Sequence, residues 1–503
     1  MRGTSVLFLL VSLLAFCSSA QAQIWRYGSL DKLESAAQVM GDSIHTNLRP
    51  YLPGKDPAYL ITGDSATDYS TSKVEIKAFA AAMGGVQIAD QIQGIGLLQP
   101  GAGIGLNWKD KLFVEAQYIY TYERLPGYLN RLADSLAILP GVGYAWRDGA
   151  NWQAHNYAGK LAWNINKTFA AEIGRGKHFW GDGYRSLIMS HNSAPVPYAK
   201  LNTTIWKIRY VNLWTRMQDF SATNHPSEAR NKYVALHALS WNATKKLNVS
   251  IYEMVIWQAK DTLSNRGVDL NYMNPIIFFR PVEFQQGSAD NVLLAFSAKY
   301  KPTKKSKIYF QMLIDEFLLK EFRSKRGWWG NKFGYQLGFS IFDAGLKGLN
   351  LQTEFNAVRP FTYTHGSVSQ AYGHLNQGAA HPLGTNFVEW IFKAHYEKER
   401  WTLDNNFVWA VYGRDRDGLN LGGNIFRSYK GAYFTFYNEW AQGLKSTLNY
   451  NELLFSYLLW PKMNVWMSAS ATVRYESNEF HKTKDVFFMA GFKSDLFPNY
   501  RDF

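Results

Sequence analysis

Period-two alternation of apolar and polar residues recurs along most of this chain and restricts the fold more than any other feature. In KLFVEAQYIYTYE (111–123), apolar and aromatic residues occupy one face of an extended strand, while most residues of the other face are polar. The same pattern occurs in MNVWMSASATVRYES (463–477) and LNLQTEFNAV (349–358). Tilted strands of about 9–11 residues can cross a bilayer. The alternation therefore predicts an all-β protein with strands of membrane-spanning length.

Alternation alone also suits a soluble β-sandwich, so other features must distinguish the two folds. The alternating segments run from about residue 85 to about residue 493 without a change of character. The connections between them alternate between short turns, such as NWKDK and KPTKK, and longer polar and aromatic segments. Trp108, Trp163 and Trp241 lie near strand ends. We therefore predict a closed antiparallel transmembrane β-barrel.

The first residues, MRGTSVLFLLVSLLAFCSSAQAQ, have the three parts of a secretory signal peptide. Arg2 supplies the positive charge, an apolar stretch follows, and Ala20-Gln21-Ala22 forms the cleavage site. Cys17 leaves lipidation as an alternative, which the bulky Phe16 before it disfavours. Cleavage after residue 22 would remove the single cysteine, so we expect no disulfide in the mature protein.

The expected organisation has three parts. Residues 1–22 form the signal peptide, residues 23–84 an N-terminal periplasmic or plug segment, and residues 85–503 the barrel. A serine cap candidate and a glycine stop predict a short helix at 29–43, and leucine spacing predicts a helical insertion near 126–141.

The C-terminal residue resembles an element of the outer-membrane assembly signal. Phe503 is a terminal aromatic that follows the last alternating segment. Pro498 cannot donate a hydrogen bond to a strand ladder, so we expect the last strand to end near Ser494.

The chain is basic, with 54 lysines and arginines, 40 aspartates and glutamates and a formal net charge of +14. For an exported protein, this charge favours lipopolysaccharide or an acidic surface polysaccharide as partner rather than nucleic acid. We expect no enzymatic activity, because G-x-S-x-G is missing and no catalytic constellation is recognisable. His365, His374 and His381 match no compact metal-ligand spacing, so we expect neither a metal nor another cofactor.

The stretch GRGKHFWGDGYRSLIMSHNSAPVPYAKL (174–201) combines glycines, aromatic residues and basic residues. It matches neither G-x-x-x-x-G-K-[ST] nor G-x-G-x-x-G, the two glycine-rich motifs that bind phosphate groups. Its aromatic rings could pack against sugars, and its polar groups could bind hydroxyl, uronate or phosphate groups. Alternatively, the glycines permit a tight bend and the aromatic residues pack a constriction.

A second polar stretch, RPVEFQQGSADN (280–291), favours ion pairs within a barrel lumen. Arg280 and Glu283 in this stretch are also candidates for polysaccharide binding. The complete set of polysaccharide-binding candidates is Arg175, Lys177, His178, Trp180, Asp182, Tyr184, Arg185, Asn192, Arg280 and Glu283.

Three stretches together resemble a known family. The glycine-rich stretch is similar to the signature of the Wzi-type capsule assembly family, and NPIIFFRPVEFQQGSADNVLL (274–294) and FNAVRPFTYTHGSVSQAYGHLNQGAAHPLGTNF (355–387) support the match. The pattern is most similar to the branch that includes the gliding-motility protein RemB. The resemblance implies an outer-membrane barrel of about 18 strands, with 16 as an alternative, and helical elements that plug or cap the periplasmic end.

The resemblance also implies the candidate functions. Wzi-type members act as non-catalytic surface lectins that bind or organise capsular polysaccharide, and this is the function that we expect. The RemB-like branch implies an accessory role in gliding motility or protein secretion, together with other envelope proteins. A plugged, porin-like diffusion channel is a further alternative.

Overall fold

The computed structural model describes residues 47–49, 73–89, 91–220, 228–260, 266–275, 290–461, 464–494 and 500–503. The expected signal peptide (1–22), the expected helix at 29–43 and the candidates Arg280 and Glu283 lie outside the described residues.

Eighteen antiparallel strands close into a barrel. In chain order, they are β1 Lys73–Ile88, β2 Ile92–Trp108, β3 Leu112–Arg124, β4 Asn151–Asn164, β5 Phe169–Gly176, β6 Val196–Ile205, β7 Ile208–Asp219, β8 Arg230–Trp241, β9 Leu247–Gln258, β10 Asn291–Thr303, β11 Ser306–Glu316, β12 Lys332–Ile341, β13 Leu349–Val358, β14 Phe387–Lys398, β15 Trp401–Arg414, β16 Leu444–Trp460, β17 Val465–Ser477 and β18 Lys482–Lys493. Each strand pairs with its neighbours in sequence, and β18 pairs with β1 to close the wall. The predicted fold and strand number are confirmed.

The first wall strand begins at Lys73, before the boundary expected at residue 85. Residues 73–80 continue the apolar–polar alternation and pair with the second half of β2, where Lys73 lies opposite Asn107. The barrel wall therefore begins about twelve residues before the expected start of the barrel at residue 85.

Short helices, turns and strands lie outside the wall strands. The helices are α1 Gly127–Leu136 and α2 Leu319–Arg323, with 3-10 turns at Leu270–Met273, Val368–Gln370 and Tyr429–Gly431. Two-residue strands occur at Leu48–Arg49, Ile138–Leu139, Gly143–Tyr144, Phe179–Trp180, Gly373–His374 and Gln377–Gly378. Trp146–Asp148 pairs antiparallel with the first three residues of β4. Within the described ranges, none of the helices has the length and apolar character needed to cross a membrane.

The two ends of the barrel differ. At one end, adjacent strands are joined by short turns, as at 109–111, 206–207 and 304–305, and the exposed tryptophans Trp108, Trp163, Trp206, Trp241, Trp401 and Trp460 lie there. This arrangement matches the aromatic girdle and short periplasmic turns of transmembrane barrels. Both described helices lie at the opposite, long-connection end. The helical cap expected at the periplasmic end is therefore not formed by any described residue.

The wall strands separate apolar from polar side chains. On β10, Leu294, Phe296 and Tyr300 point outward and are exposed, whereas Ser297 and Lys299 point inward and are buried. This separation follows from the period of two in an extended strand. It gives an apolar outer surface suited to lipid and a polar lumen.

The lumen is filled by protein. Residues 177–195, which connect β5 to β6 and which we call the inner loop, fold into the barrel and join the main apolar core through Trp180, Leu187 and Ile188.

The last strand ends at Lys493, next to the predicted end at Ser494. Phe503 lies beyond this strand, as the predicted strand end implies. It packs inside the barrel beside Leu125 and Leu129 of the α1 region.

Candidate functional site

The inner loop crosses the lumen because its sequence allows an unusually close approach to the wall. Phe179–Trp180 forms a two-residue sheet with Leu48–Arg49. A Cβ atom at Gly181 would lie 2.5 Å from Nε2 of Gln311, and one at Gly183 would clash with Oε2 of Glu354. A larger residue at Gly181 or Gly183 would therefore force these wall side chains to move.

Trp180 and Asp182 are held inside the barrel. Trp180 is 1% exposed and packs near Tyr252, with ring centroids 5.9 Å apart. Asp182 accepts an ion-paired hydrogen bond from Nζ of Lys299 at 2.6 Å, and its carbonyl accepts one from Nζ of Lys307 at 2.8 Å. Trp180 therefore presents no open ring face to a sugar in this structure, and Asp182 already has its partners.

Tyr184 and Arg185 belong to a buried polar network. The backbone N–H groups of both residues donate to the carboxylate of Glu354, at 2.7 Å and 3.0 Å. The Arg185 guanidinium pairs with Asp502 at 2.9 Å and with Glu389 at 3.2 Å. These contacts fix the inner loop to β13, β14 and residues 500–503.

Lys177 and His178 are buried at the start of the inner loop. Lys177 donates to the carbonyl oxygen of His191 at 3.0 Å, and burial lowers the pKa of its ammonium group to about 7. His178 packs edge-on against Tyr198, with ring centroids 4.4 Å apart, and burial lowers the pKa of its imidazole. The desolvated side chains of this segment favour the packing interpretation of the stretch over direct contact with sugar.

The two remaining described candidates lie elsewhere. Arg175 faces outward on β5, where its guanidinium stacks over Tyr157 at 4.6 Å from the ring centroid. Asn192 lies at the end of the inner loop and donates to the carbonyl oxygen of Gly378 at 2.8 Å. Of the described candidates, only Asn192 lines the cavity that opens at the long-connection end.

That cavity has a volume of about 640 Å³, and we call it the vestibule. It lies between α1, residues 376–385, residues 413–426 and the upper part of β17. Its aromatic walls include Tyr128, Tyr412 and Phe426, and its amide side chains include Asn192, Asn376 and Gln377. Tyr128 and Phe426 are partly exposed, whereas Tyr412 and the three amide side chains are buried at the cavity wall. Partly exposed rings beside amide groups suit a carbohydrate, because sugars present both apolar faces and hydroxyl groups.

The acidic groups of the vestibule are already paired. Glu476 forms an ion pair with Arg474 at 2.8 Å and accepts a hydrogen bond from the Tyr412 hydroxyl. Asp415 forms an ion pair with Arg427 at 2.9 Å.

Two further vestibule cations have no such partner. Arg131 and Arg414 are exposed, and neither forms an ion pair with a described residue. Arg414 instead lies over the ring of Tyr412, 5.1 Å from its centroid. The vestibule therefore carries an excess of positive charge, with three arginine and two carboxylate side chains in its lining, which suits an anionic sugar such as a uronate.

Sequence reasoning missed most of the vestibule residues. Arg474 and Glu476 belong to the polar face of the alternating segment 463–477, but that pattern gives no information about their neighbours. Residues 382–385, which belong to the stretch 355–387 quoted for the family resemblance, also line the vestibule. This stretch was the available signal for the site.

The three histidines considered as metal ligands lie in separate environments. His381 donates from Nε2 to Glu389 at 2.8 Å, and Nδ1 of His374 accepts a hydrogen bond from the Gln218 N–H at 3.0 Å. His365 packs edge-on against Tyr429. Within the described ranges, no group of three or more metal-binding side chains converges.

No family model and no curated protein matches the sequence. Among solved structures, the chain is similar to Wzi, an outer-membrane protein of Escherichia coli involved in group 1 capsule assembly and described as a carbohydrate-binding β-barrel. The match has 13% identity and a TM-score of 0.56, and it covers 94% of this chain and 99% of Wzi. The chain is also similar to OccK8 (OprE) of Pseudomonas aeruginosa, with 7% identity, a TM-score of 0.46 and coverage of 84% and 97%. At this identity, the likeness to Wzi shows a shared barrel fold.

Proposed function

We propose that this protein is an outer-membrane β-barrel whose vestibule binds an acidic surface polysaccharide without catalysing a reaction on it. The observation that carries the proposal is a pair of arginines, Arg131 and Arg414, in a cavity lined by aromatic and amide side chains. Neither arginine has an ion-pair partner among the described residues. A guanidinium binds a carboxylate through parallel charge-assisted hydrogen bonds, so a uronate-containing chain satisfies both arginines. The carbohydrate binding described for Wzi supports the proposal.

The location of the vestibule agrees with this function. It lies at the end with long connections, which in transmembrane barrels faces the cell exterior.

In this proposal, residues 1–22 direct export and the mature chain begins at residue 23. Mass spectrometry of the protein purified from membranes would test that start.

A binding experiment with charged and neutral polymers tests the ligand class. Polygalacturonate and neutral dextran are the probes for purified barrel in detergent. We expect polygalacturonate to be retained and dextran not. Combined Arg131→Ala and Arg414→Ala substitutions should weaken retention by at least about tenfold, since each charge-assisted hydrogen bond contributes roughly 1.5–3 kcal/mol.

Arg326→Ala is the matched control for this experiment, because Arg326 is also an exposed arginine at the long-connection end and does not line the vestibule. Its retention should equal that of the wild type. Equal retention of both polymers by the wild type, or unchanged retention by the double variant, would contradict the proposal.

The sequence stretches at 274–294 and 355–387 support a second role, as an accessory component of gliding or secretion that contacts other envelope proteins. The two roles differ in phenotype. A deletion strain that keeps its surface polysaccharide but no longer spreads would favour the second role. Loss of the polysaccharide layer with normal spreading would favour the first.

A further inference from the structure

A groove on the outer wall of the barrel has both an apolar lining and a charged edge. It has a volume of about 650 Å³ and is separate from the vestibule. Its lining includes the apolar side chains Leu161, Ile173, Trp214, Val268 and Met273. Because the groove lies on the outward face of β3 to β9, it opens toward the lipid that surrounds a transmembrane barrel.

One side of the groove is formed by residues 266–275, which lie against the outer wall instead of extending away from it. Three wall side chains donate to backbone carbonyl groups of this segment. They are Trp214 to Tyr272 at 3.0 Å, Trp257 to Gly267 at 3.1 Å and Asn212 to Pro275 at 3.1 Å. The Tyr272 ring is buried beside that of Trp257, 5.0 Å between centroids. The groove is thus bounded by a segment anchored through several contacts.

Two arginines lie at the edge of the groove. Arg175 pairs across the sheet with Pro197, and Arg216 lies one position beyond the Tyr198–Thr215 pair on the next strand. Their Cα atoms are therefore two strand spacings apart, about 10 Å. Side chains as long as arginine can converge on one ligand over this distance.

Neither arginine is neutralised by a residue that the structure describes. No described residue forms an ion pair with either of them, and Nε of Arg175 is buried without a hydrogen-bond partner. The two positive charges repel each other. Arg216 is exposed and lines the groove directly.

The height of the arginines places them toward the outer leaflet. Arg216 lies eight residue steps from Ile208, and Arg175 lies six steps from Phe169, each counted from the short-turn end. At about 3.3 Å per residue and a tilt of roughly 40°, these steps rise about 15–20 Å. The apolar band of such barrels is about 25 Å tall, so both residues lie in its outer half. Unpaired arginines on a lipid-facing wall are destabilising unless an anion or the interface compensates them.

We propose that this groove binds a phosphorylated glycolipid of the outer leaflet, with an acyl chain in the groove and a phosphate group on Arg175 and Arg216. The apolar lining and the two cations match the two parts of such a lipid. The site is independent of the vestibule, so either site can bind without the other.

The test measures lipid retained by purified barrel in native mass spectrometry, with diphosphorylated and fully dephosphorylated lipid A as probes. We expect wild-type protein to retain at least about tenfold more of the phosphorylated lipid. Combined Arg175→Gln and Arg216→Gln substitutions should abolish this preference. Lys207→Gln, at a short turn on the opposite end, is the matched control and should behave as the wild type.

Heat-modifiable gel migration verifies that each variant is folded before it is measured. An equal mass of inorganic phosphate should not displace the lipid; full displacement would identify a free-phosphate site and overturn the proposal. Equal retention of both lipids by the wild type, or an unchanged preference in the double variant, would also overturn it. Polygalacturonate retention by the double variant should be unchanged, which separates this test from that of the vestibule.

Discussion

The guanidinium of Arg185 donates through Nη1 to Oδ1 of Asp502 at 2.9 Å, and both side chains are buried inside the barrel. This ion pair joins the inner loop to residues 500–503, which follow the last wall strand. Asp502 also accepts hydrogen bonds from Tyr184 and Asn406. A single carboxylate therefore connects the inner loop to β15 of the wall.

Asp502→Ala should loosen the inner loop. Removal of one partner from a buried pair leaves an uncompensated charge and typically costs about 3–5 kcal/mol. Because Arg185 keeps Glu389 as a partner, we expect a loss near 3 kcal/mol in the free energy of unfolding, measured in urea. Hydrogen exchange of the inner-loop amides should increase. Asp417→Ala, which removes a solvent-exposed partner of Arg416, should change neither quantity measurably.

The inner loop should determine whether the barrel conducts ions. Trp180, Leu187 and Ile188 fill the lumen as part of the main core, so wild-type protein should give little current in planar bilayers. Replacement of residues 178–193 by a short glycine–serine linker should produce stable open channels. A large current from the wild type would show that the lumen is not closed in a membrane.

The sequence predicted the wall of the barrel far better than its contents. The wall depends on a local period of two, so the alternating segment at 463–477 corresponds closely to β17, Val465–Ser477. The position of the inner loop depends on contacts between distant residues, such as the approach of Gly183 to Glu354. No local pattern encodes such a contact. Trp180 and Asp182 were therefore considered for sugar binding although the structure buries them.

The vestibule was difficult to predict for the same reason. Arg131, Arg414 and Arg474 come from a connection and from two strands that are distant in sequence. The composition of each segment is ordinary for a barrel with polar loops. Only the closed wall brings the three arginines to one cavity.

Binding of an acidic polymer to the vestibule should depend on salt. Arg131 and Arg414 are exposed, and the Debye length falls from roughly 14 Å to roughly 4 Å between 0.05 and 0.5 M salt. We expect polygalacturonate retention by the wild type to fall several-fold over this range. The Arg131→Ala and Arg414→Ala double variant should show a much weaker dependence. A salt-independent wild type would argue against recognition by charge.

Acid should destabilise the connection between β13 and β14. Burial lowers the pKa of His365 to about 4 and that of His374 to about 3. An unfolded histidine has a pKa of about 6.5, so the unfolded state binds more protons between about pH 4 and pH 6.5. The stability of this connection is therefore greatest above pH 6.5 and decreases as the pH falls through that window.

Hydrogen exchange, corrected for the pH dependence of intrinsic exchange, measures this effect at amides such as those of Tyr372 and Ala379, which bond within the connection. Protection should decrease from pH 7 to pH 4.5. His365→Gln should reduce the decrease, whereas His481→Gln, at an exposed turn, should leave it unchanged. Protection that stays constant across the window would contradict the prediction.

Trp214→Phe should release part of the segment that bounds the outer groove. The indole N–H of Trp214 donates to the carbonyl oxygen of Tyr272, and phenylalanine keeps an aromatic ring but removes the donor. A hydrogen bond of this kind contributes about 0.5–1.5 kcal/mol, so protection of amides in residues 266–275 should fall by roughly twofold to tenfold. Trp206→Phe, at a short turn, is the matched control because Trp206 is exposed at the other end of the barrel. If the groove binds lipid as proposed, loss of its boundary should also weaken lipid retention while the preference for phosphate persists, because Arg175 and Arg216 are unchanged.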